Sequence, residues 1–461
     1  MNSRTKMSLG IIATLLVIII GVMTWHQRTH FNKNTTINGV AVGGMTAQQA
    51  YDKVAKTKLT NEVTLDGKVI YQGESSSAGF TKNDLSKFEK ALKKQATFFP
   101  SSKAKNVKVV PSHVDSTRLA AMRAALKANI EKENAGRKAP VDAKAVLANS
   151  KVTIKPARKG NRYDTEALLK DFDQNSANVK IVLHKQYQQP LAANSKTVKQ
   201  EAVKLKALLN QKLTYQVENK TYTLTTNDII TKATYLNHQY QFDTTALNKL
   251  VKKVNQNQST LDKSFTFTTH SGKQIKTATG GSYGWRLSDT KAAATLTKAL
   301  INHQTSVNAK SDVYGVGYNT GGIGYGTTSN HGIGNTYAEV SISDQHVWFY
   351  KDGKCVFDAS VVTGKHSSGD DTPKGVWYIM YKQRNTTLRG TSDNGSAYAS
   401  PVSYWAPFTD SGCGFHDASW RTDWSSTAYL NNGSNGCVNM HPSDAGTAYD
   451  ALSQYEPVIV Y

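Results

Sequence analysis

The sequence predicts a multidomain chain: an N-terminal transmembrane helix, two repeated α+β domains, and a C-terminal mainly-β domain. Three observations carry this reading. Ser8 to Trp25 is apolar and uncharged, a helix–hairpin–helix order occurs twice, and two-residue alternation begins after a glycine-rich stretch. The expected boundaries are 1–31 for a cytoplasmic tip and anchor, 32–188 and 189–314 for the repeats, 315–334 for a joint, and 335–461 for the last domain. A chain of 461 residues, 39% of them hydrophobic, is long enough for packed cores in roughly three domains.

The apolar run comes first. Its 18 residues reach roughly 27 Å as a helix, close to a hydrocarbon core. Arg4 and Lys6 precede it and favour a cytoplasmic N-terminus, although Arg28 and Lys33 follow closely. Bulky Val22-Met23-Thr24-Trp25 offers no small-x-small cleavage site, which argues against a removed signal peptide. The expectation is a single-pass cell-membrane protein whose remaining domains lie outside; a buried core helix is the bland alternative.

Charge then narrows the partners. The 56 Lys and Arg against 34 Asp and Glu give a formal +22, a balance that attracts polyanions. Export excludes nucleic acid, so the surplus reads as adhesion to anionic cell wall polymers, with an ordinary lysine-rich surface as its plain alternative.

The repeat is read from order. Val63 to Tyr71 leading to Thr81-Lys82-Asn83-Asp84-Leu85 echoes Tyr215 to Tyr222 leading to Thr225-Thr226-Asn227-Asp228-Ile229. A helix precedes each hairpin, with Ala47, Ala50, Tyr51 and Val54 on one face, and Val198, Ala202, Leu205 and Leu209 on another. A second helix follows each, started by Asp115-Ser116 with Leu119, Met122, Leu126 and Ile130 inward, and by Asp243 with Leu247, Leu250, Val251 and Val254 inward. Each half closes on a glycine turn, a tyrosine and a short helix, at Gly160 to Leu169 and Gly280 to Leu300. The division falls near Gln188-Gln189-Pro190.

Eight glycines between Tyr314 and Gly334 mark a flexible joint or an extended loop, and no Gly-Lys-Ser/Thr makes it a phosphate loop. Beyond it, His346 to Tyr350 and Cys355 to Phe357 flank the turn Lys351-Asp352-Gly353-Lys354, and Val376 to Tyr381 and Val458 to Tyr461 read as further strands. A sandwich or barrel-like domain is expected, with the last strand needed for its core.

Chemistry concentrates near the C-terminus. Cys437 sits in the turn Gly433-Ser434-Asn435-Gly436-Cys437-Val438-Asn439, and His416 lies 21 residues upstream in Gly414-Phe415-His416-Asp417. A thiol attacks carbonyls as thiolate, and imidazole is the common device for removing its proton. These segments, with Val361-Val362-Thr363-Gly364 and Asp371-Thr372-Pro373-Lys374-Gly375, resemble the L,D-transpeptidases with a YkuD-type catalytic domain, over about the last quarter of the chain. In that family a Ser-His-Gly-Cys segment carries the nucleophile, and here Asn435 replaces its histidine. The opening Ile37-Asn38-Gly39-Val40 and the repeats resemble the domains, named for peptidoglycan binding, that precede many Gram-positive catalytic domains of this kind; wall binding and mere spacing fit them equally.

The resemblance implies a transferase of peptidoglycan biosynthesis, cell wall organization and cell shape, needing no cofactor. Cys437 would be the nucleophile and His416 the general base, acting on peptidoglycan stem peptides with release of terminal D-Ala and a thioester intermediate. Backbone N–H groups of the turn at Gly436-Cys437 are the expected oxyanion donors, with Ser434 and Asn435 orienting the site. Asn439, Arg421, Tyr404, Trp405 and Trp420 are candidates for gripping the stem, with packing as the alternative for each. His441 is a reserve base. Carbapenem acylation of Cys437 is a further family expectation.

Other readings stay open. An L,D-carboxypeptidase would use the same residues with water as acceptor, and a non-catalytic wall-binding protein would follow if Asn435 marks decay. A sortase would show Thr-Leu-x-Thr-Cys, which Cys437 lacks. His331, His346 and His366 show no ligand spacing, so no metal is expected. Three cysteines exclude a disulfide-held fold; Cys355 and Cys413 could pair, and inert packing is favoured for both.

Overall fold

In the computed structural model, which describes residues 3–95, 99–318, 320–392 and 395–461, the chain divides into two compact units. The first comprises residues 1–143 and 156–195, the second 144–155 and 196–461. Asn319, inside the glycine-rich stretch, lies outside the described residues.

The apolar run lies in a helix, Ser3–Thr29. Its segment Gly10–Thr29 is long and apolar enough to cross a membrane, a property that an anchor and a signal sequence share.

In the first unit the hairpin Glu62–Leu65 and Lys68–Gln72 is joined by Ile181–Leu183, parallel to the first hairpin strand. Helices Ser116–Asn134 and Thr165–Asn175 bury Met122, Leu126, Ile130, Leu168 and Phe172 against it. Asp115 and Asp164 cap these helices through Arg118 N–H and Ala167 N–H. In the second unit, Lys212–Val217 and Lys220–Thr225 form a hairpin joined by the parallel strand Ser306–Asn308. Helices Lys196–Lys206, Thr245–Asn257 and Asp289–Ile301 pack on it through Leu205, Val251, Val254 and Leu296. Thr81 with Asp84, and Thr225 with Asp228, make a capping box after each hairpin.

Two expectations need correction. The boundary near Gln188 does not hold for the hairpin Lys144–Ala148 and Lys151–Lys155, which pairs with Lys232–Leu236 in the second unit. Ala145 and Leu147 join the core of Leu205 and Ala233, and Ala145 N–H donates to Glu201 at 3.1 Å. A hairpin with one apolar face has no cover in its own sequence neighbourhood, so pairing across the chain decides its place. The glycine-rich stretch is a packed loop and no free joint. Ile323 N–H bonds Gly284 O, Gly326 N–H bonds Glu218, and Tyr283 Oη donates to Gly332 O at 2.7 Å.

Within the second unit, residues 335–461 build one nine-stranded sheet. In chain order its strands are β1 (Tyr337–Ser341), β2 (His346–Lys351), β3 (Lys354–Val362), β4 (Gly375–Tyr378), β5 (Gln383–Thr391), β6 (Ala397–Pro407), β7 (Gly414–Asp417), β8 (Val438–Met440) and β9 (Pro457–Val460). The spatial order is β4-β9-β1-β2-β3-β8-β7-β6-β5, antiparallel except for β1 with β9 and β7 with β8. The curled sheet closes around Val340, Phe349, Phe408, Phe415 and Val438, and helix Pro442–Ala451 covers it through Ala445 and Ala448. The C-terminal strand is interior, hydrogen-bonded on both sides.

Candidate active site

The site forms where β7 and β8 run parallel. Their register sets His416 opposite Asn439, and Cys437 stands just before β8. Parallel neighbours on one face bring together side chains that lie 23 residues apart in the chain.

The turn before Cys437 is fixed by its own hydrogen bonds. Ser434 Oγ donates to Cys437 O at 2.5 Å and accepts from Gly436 N–H at 3.2 Å. Thr372, fully buried in the Thr-Pro segment, donates to Gly436 O at 2.8 Å and accepts from Gly364 N–H at 3.1 Å. Gly436 has φ +105°, and a Cβ there would meet Cys413 Sγ at 2.7 Å, so only glycine fits.

His416 is held from both sides. Its Nδ1 donates to the Asp417 carbonyl at 2.8 Å, a group that can only accept. The Asn439 amide is assigned from its neighbours: with Oδ1 toward Arg421 it accepts from Nη2 and Nε at 3.0 and 3.1 Å, and its nitrogen then donates to His416 Nε2 at 3.1 Å. Nε2 therefore carries the lone pair. Trp420 stacks on the imidazole, centroids 5.8 Å apart, and Trp405, the register partner of His416 in β6, packs beside it at 5.9 Å.

Their surroundings disfavour the charged form of both the Cys437 thiol and the His416 imidazole. Burial pushes the Cys437 thiol up to about 12, with Cys413 adding to the rise and Gly414 N–H opposing it. It also holds the His416 imidazole below its ordinary value, against the Asp417 carbonyl. The thiol's hydrogen-bond acceptor is Gly412 O at 3.7 Å. A pocket of about 220 Å³ opens over the pair, lined by Leu388, Tyr398, Trp420, Arg421, Ser434 and Asn435 among others.

Several expected roles change. The Gly436 N–H is engaged by Ser434 Oγ and does not face the pocket as a free oxyanion donor, and Ser434 bonds the turn instead of His416. Asn439 is buried between Arg421 and His416, where it holds the imidazole and cannot grip a ligand. Arg421 lines the pocket, though its Nη1 also donates to Asn432 O. Tyr404 lies on the other face against Tyr449, and Trp405 is buried packing. His441 caps helix Pro442–Ala451 and its ring sits edge-on to Trp424, away from the thiol pocket. Cys355 is exposed and Cys413 buried, both free, so the pairing considered for them is not formed.

Asn435 reaches across to the β5–β6 hairpin, donating to Thr391 O at 3.3 Å, and lines the pocket with Tyr398. Tyr398, Leu388 and Ser400 were not legible as site residues. The consecutive N–H groups of Ser403 and Tyr404 both donate to Asp417 Oδ1, at 2.8 and 2.9 Å, and this break in alternation puts Tyr398 and Ser400 at the pocket while Trp405 faces His416. A run of polar and aromatic residues in a long hairpin was the one available signal.

Residues 335–460 match the family model of the L,D-transpeptidase catalytic domain, YkuD. Among solved structures, a cysteine-to-serine mutant of the Enterococcus faecium L,D-transpeptidase is 27% identical over 56% of this chain and 98% of its own, with TM-score 0.44. The catalytic domain of an E. faecium L,D-transpeptidase, solved by NMR, is 38% identical over 28% of this chain and 97% of its own, TM-score 0.26. L,D-transpeptidase 3 from Mycobacterium tuberculosis, bearing a faropenem-derived adduct, is 24% identical over 27% of this chain and 60% of its own, TM-score 0.23. No curated protein matches the chain.

Proposed function

We propose that this chain, whose residues 335–460 belong to the YkuD family of L,D-transpeptidase catalytic domains, forms peptidoglycan cross-links through a thioester on Cys437. The observation that carries the proposal is a thiol and an imidazole lining one pocket, the imidazole with Nδ1 donating to the Asp417 carbonyl and Nε2 left as acceptor. On binding of a stem tetrapeptide, the Asn439 N–H gives up His416 Nε2 and the Cys437 S–H swings from Gly412 O to that nitrogen, which takes its proton as sulfur attacks the carbonyl of the third residue. The backbone N–H of Cys437 is the candidate donor to the developing oxyanion. The C–N bond breaks, His416 returns the proton to the leaving amine, and D-Ala departs. The amine of a second stem attacks the thioester, loses its proton to His416, and restores the thiol.

Neutral partners suit this order. A thiol held protonated resists adventitious reaction, and a neutral imidazole can accept a proton once the Asn439 N–H releases Nε2. The helix Ser3–Thr29 would hold the enzyme at the outer membrane face as a single-pass anchor. The matching hairpin, capping box and parallel strand support two copies of one α+β domain that place the site within the wall. The basic surface would hold anionic wall polymers.

Mass spectrometry of the full chain in detergent with disaccharide-tetrapeptide tests the reaction. Wild type should give cross-linked dimers, while Cys437→Ala and His416→Ala should not. Tripeptide without dimers would make the enzyme a carboxypeptidase, and unchanged substrate with wild type would overturn the proposal.

A further inference from the structure

The first unit contains a groove of about 480 Å³, a size that takes a small ligand or a peptide end. Leu59, Ala78, Val110 and Val114 give it apolar walls, and the last two are 48% and 43% exposed. Lys108, His113 and Arg118 supply positive charge, while Asp115 is engaged as the cap of helix Ser116–Asn134.

Both sides of the groove are held by internal bonds. Arg118 Nη1 donates to Asn61 Oδ1 at 2.5 Å, and Asn61, at φ +52°, is held in turn by Ser76 Oγ at 2.9 Å and by Glu74 O. Among the described residues no ion pair joins the Arg118 guanidinium to a carboxylate; Nη1 also donates to Met122 Sδ at 3.1 Å, and Asp115 accepts from the Arg118 backbone N–H. The opposite wall, Val110 to His113, is fixed by the fully buried Asp84, which accepts from Ser112 N–H and Oγ at 3.1 and 2.5 Å and pairs with Lys87 at 2.7 Å. Lys87 Nζ also donates to Val110 O at 2.9 Å. Gly79 lets this wall close: at φ +75°, a Cβ there would lie 1.9 Å from His113 O.

A fixed guanidinium matches a carboxylate, and apolar walls match short alkyl groups. A repeating polyphosphate would leave those walls without a partner. We propose that this groove binds the C-terminal end of a short peptide with small apolar side chains, its terminal carboxylate held by Arg118. An uncross-linked stem terminus has this chemistry; that identification rests on the function proposed above, whereas the binding itself does not.

The test is photo-labelling of the full chain carrying Cys437→Ala in detergent. The probe is N-acyl-L-lysyl-D-alanine with a diazirine on the lysine, compared with its C-terminal carboxamide, and adducts are mapped by peptide mass spectrometry. Adducts within 58–79 and 108–119 are expected, about 10-fold weaker with the carboxamide and with Arg118→Gln, and partly kept with Arg118→Lys. Val114→Glu, at an exposed position, should also suppress them and does not depend on the folding of an Arg118 variant. Absence of adducts from these segments, equal labelling by the carboxamide, or displacement by glycerol phosphate but not by unlabelled peptide would overturn the proposal. Labelling in the groove by a chain whose wild type makes no cross-links would sustain the site and remove only its assignment to stems.

Discussion

His416 and Asn439 are register partners in two parallel strands, and the Asn439 amide nitrogen lies 3.1 Å from His416 Nε2. The orientation of that amide comes from Arg421, and with the Asp417 carbonyl accepting from Nδ1 it leaves Nε2 as the acceptor nitrogen. Replacing Asn439 with Asp would set a carboxylate beside the imidazole and raise its pKa from the value that burial lowers. Since the base must be unprotonated, the acidic limb of kcat/KM should move to higher pH. Asn439→Ala should lower the rate by about 10- to 100-fold. An unmoved limb in Asn439→Asp would show that His416 does not titrate as the base.

Thiol reactivity gives a second check. With Cys437 pushed up to about 12, alkylation by iodoacetamide should keep rising above pH 9 with no plateau near neutrality. The folded pKa lies above the unfolded one, about 8.5. Its contribution to stability is therefore complete below about pH 8.5 and is lost as pH rises toward 12. A plateau near pH 6 would indicate a preformed thiolate–imidazolium pair.

Gly436→Ala combines a positive φ with a contact 2.7 Å from Cys413 Sγ. The backbone strain alone should cost about 1–3 kcal/mol. Denaturant titration should show the double variant Gly436→Ala/Cys413→Ala recovering the steric part only. Full additivity of the two single changes would mean that the two side chains do not meet.

Asn435 ties the turn before Cys437 to the β5–β6 hairpin through Thr391 O. Removing it in Asn435→Ala should speed hydrogen exchange at 388–392 and 397–402 by about 3- to 10-fold, the worth of one net hydrogen bond. The pH dependence of Cys437 alkylation should stay as in wild type. A changed pH profile would give Asn435 a part in the proton transfer.

Deleting Pro457 to Tyr461 removes a strand that lies between β4 and β1. Loss of a cooperative thermal transition for the C-terminal domain is expected. A retained transition would place the core's boundary before β9.

Much of the C-terminal domain was legible because its signals are local. Alternation around Lys351-Asp352-Gly353-Lys354 marks β2 and β3, and Cys437 and His416 stand in short segments whose chemistry can be read from residue type. The side chains around that pair were less legible. Tyr404 and Trp405 look alike in sequence, yet the shared Asp417 carboxylate under Ser403 and Tyr404 sends one to the helix and the other to His416.

The sequence by itself determined the apolar N-terminal helix, the two hairpins each followed by a helix start, and the two segments that carry Cys437 and His416, since these depend on periodicity, capping and side-chain chemistry within a few residues. Only the tertiary structure decided that Asn439 and Arg421 serve His416, that Asn435 reaches the hairpin, and that residues 144–155 belong with the second unit. Strand register and the orientation of an amide follow from partners far along the chain, and no local pattern encodes which partner arrives.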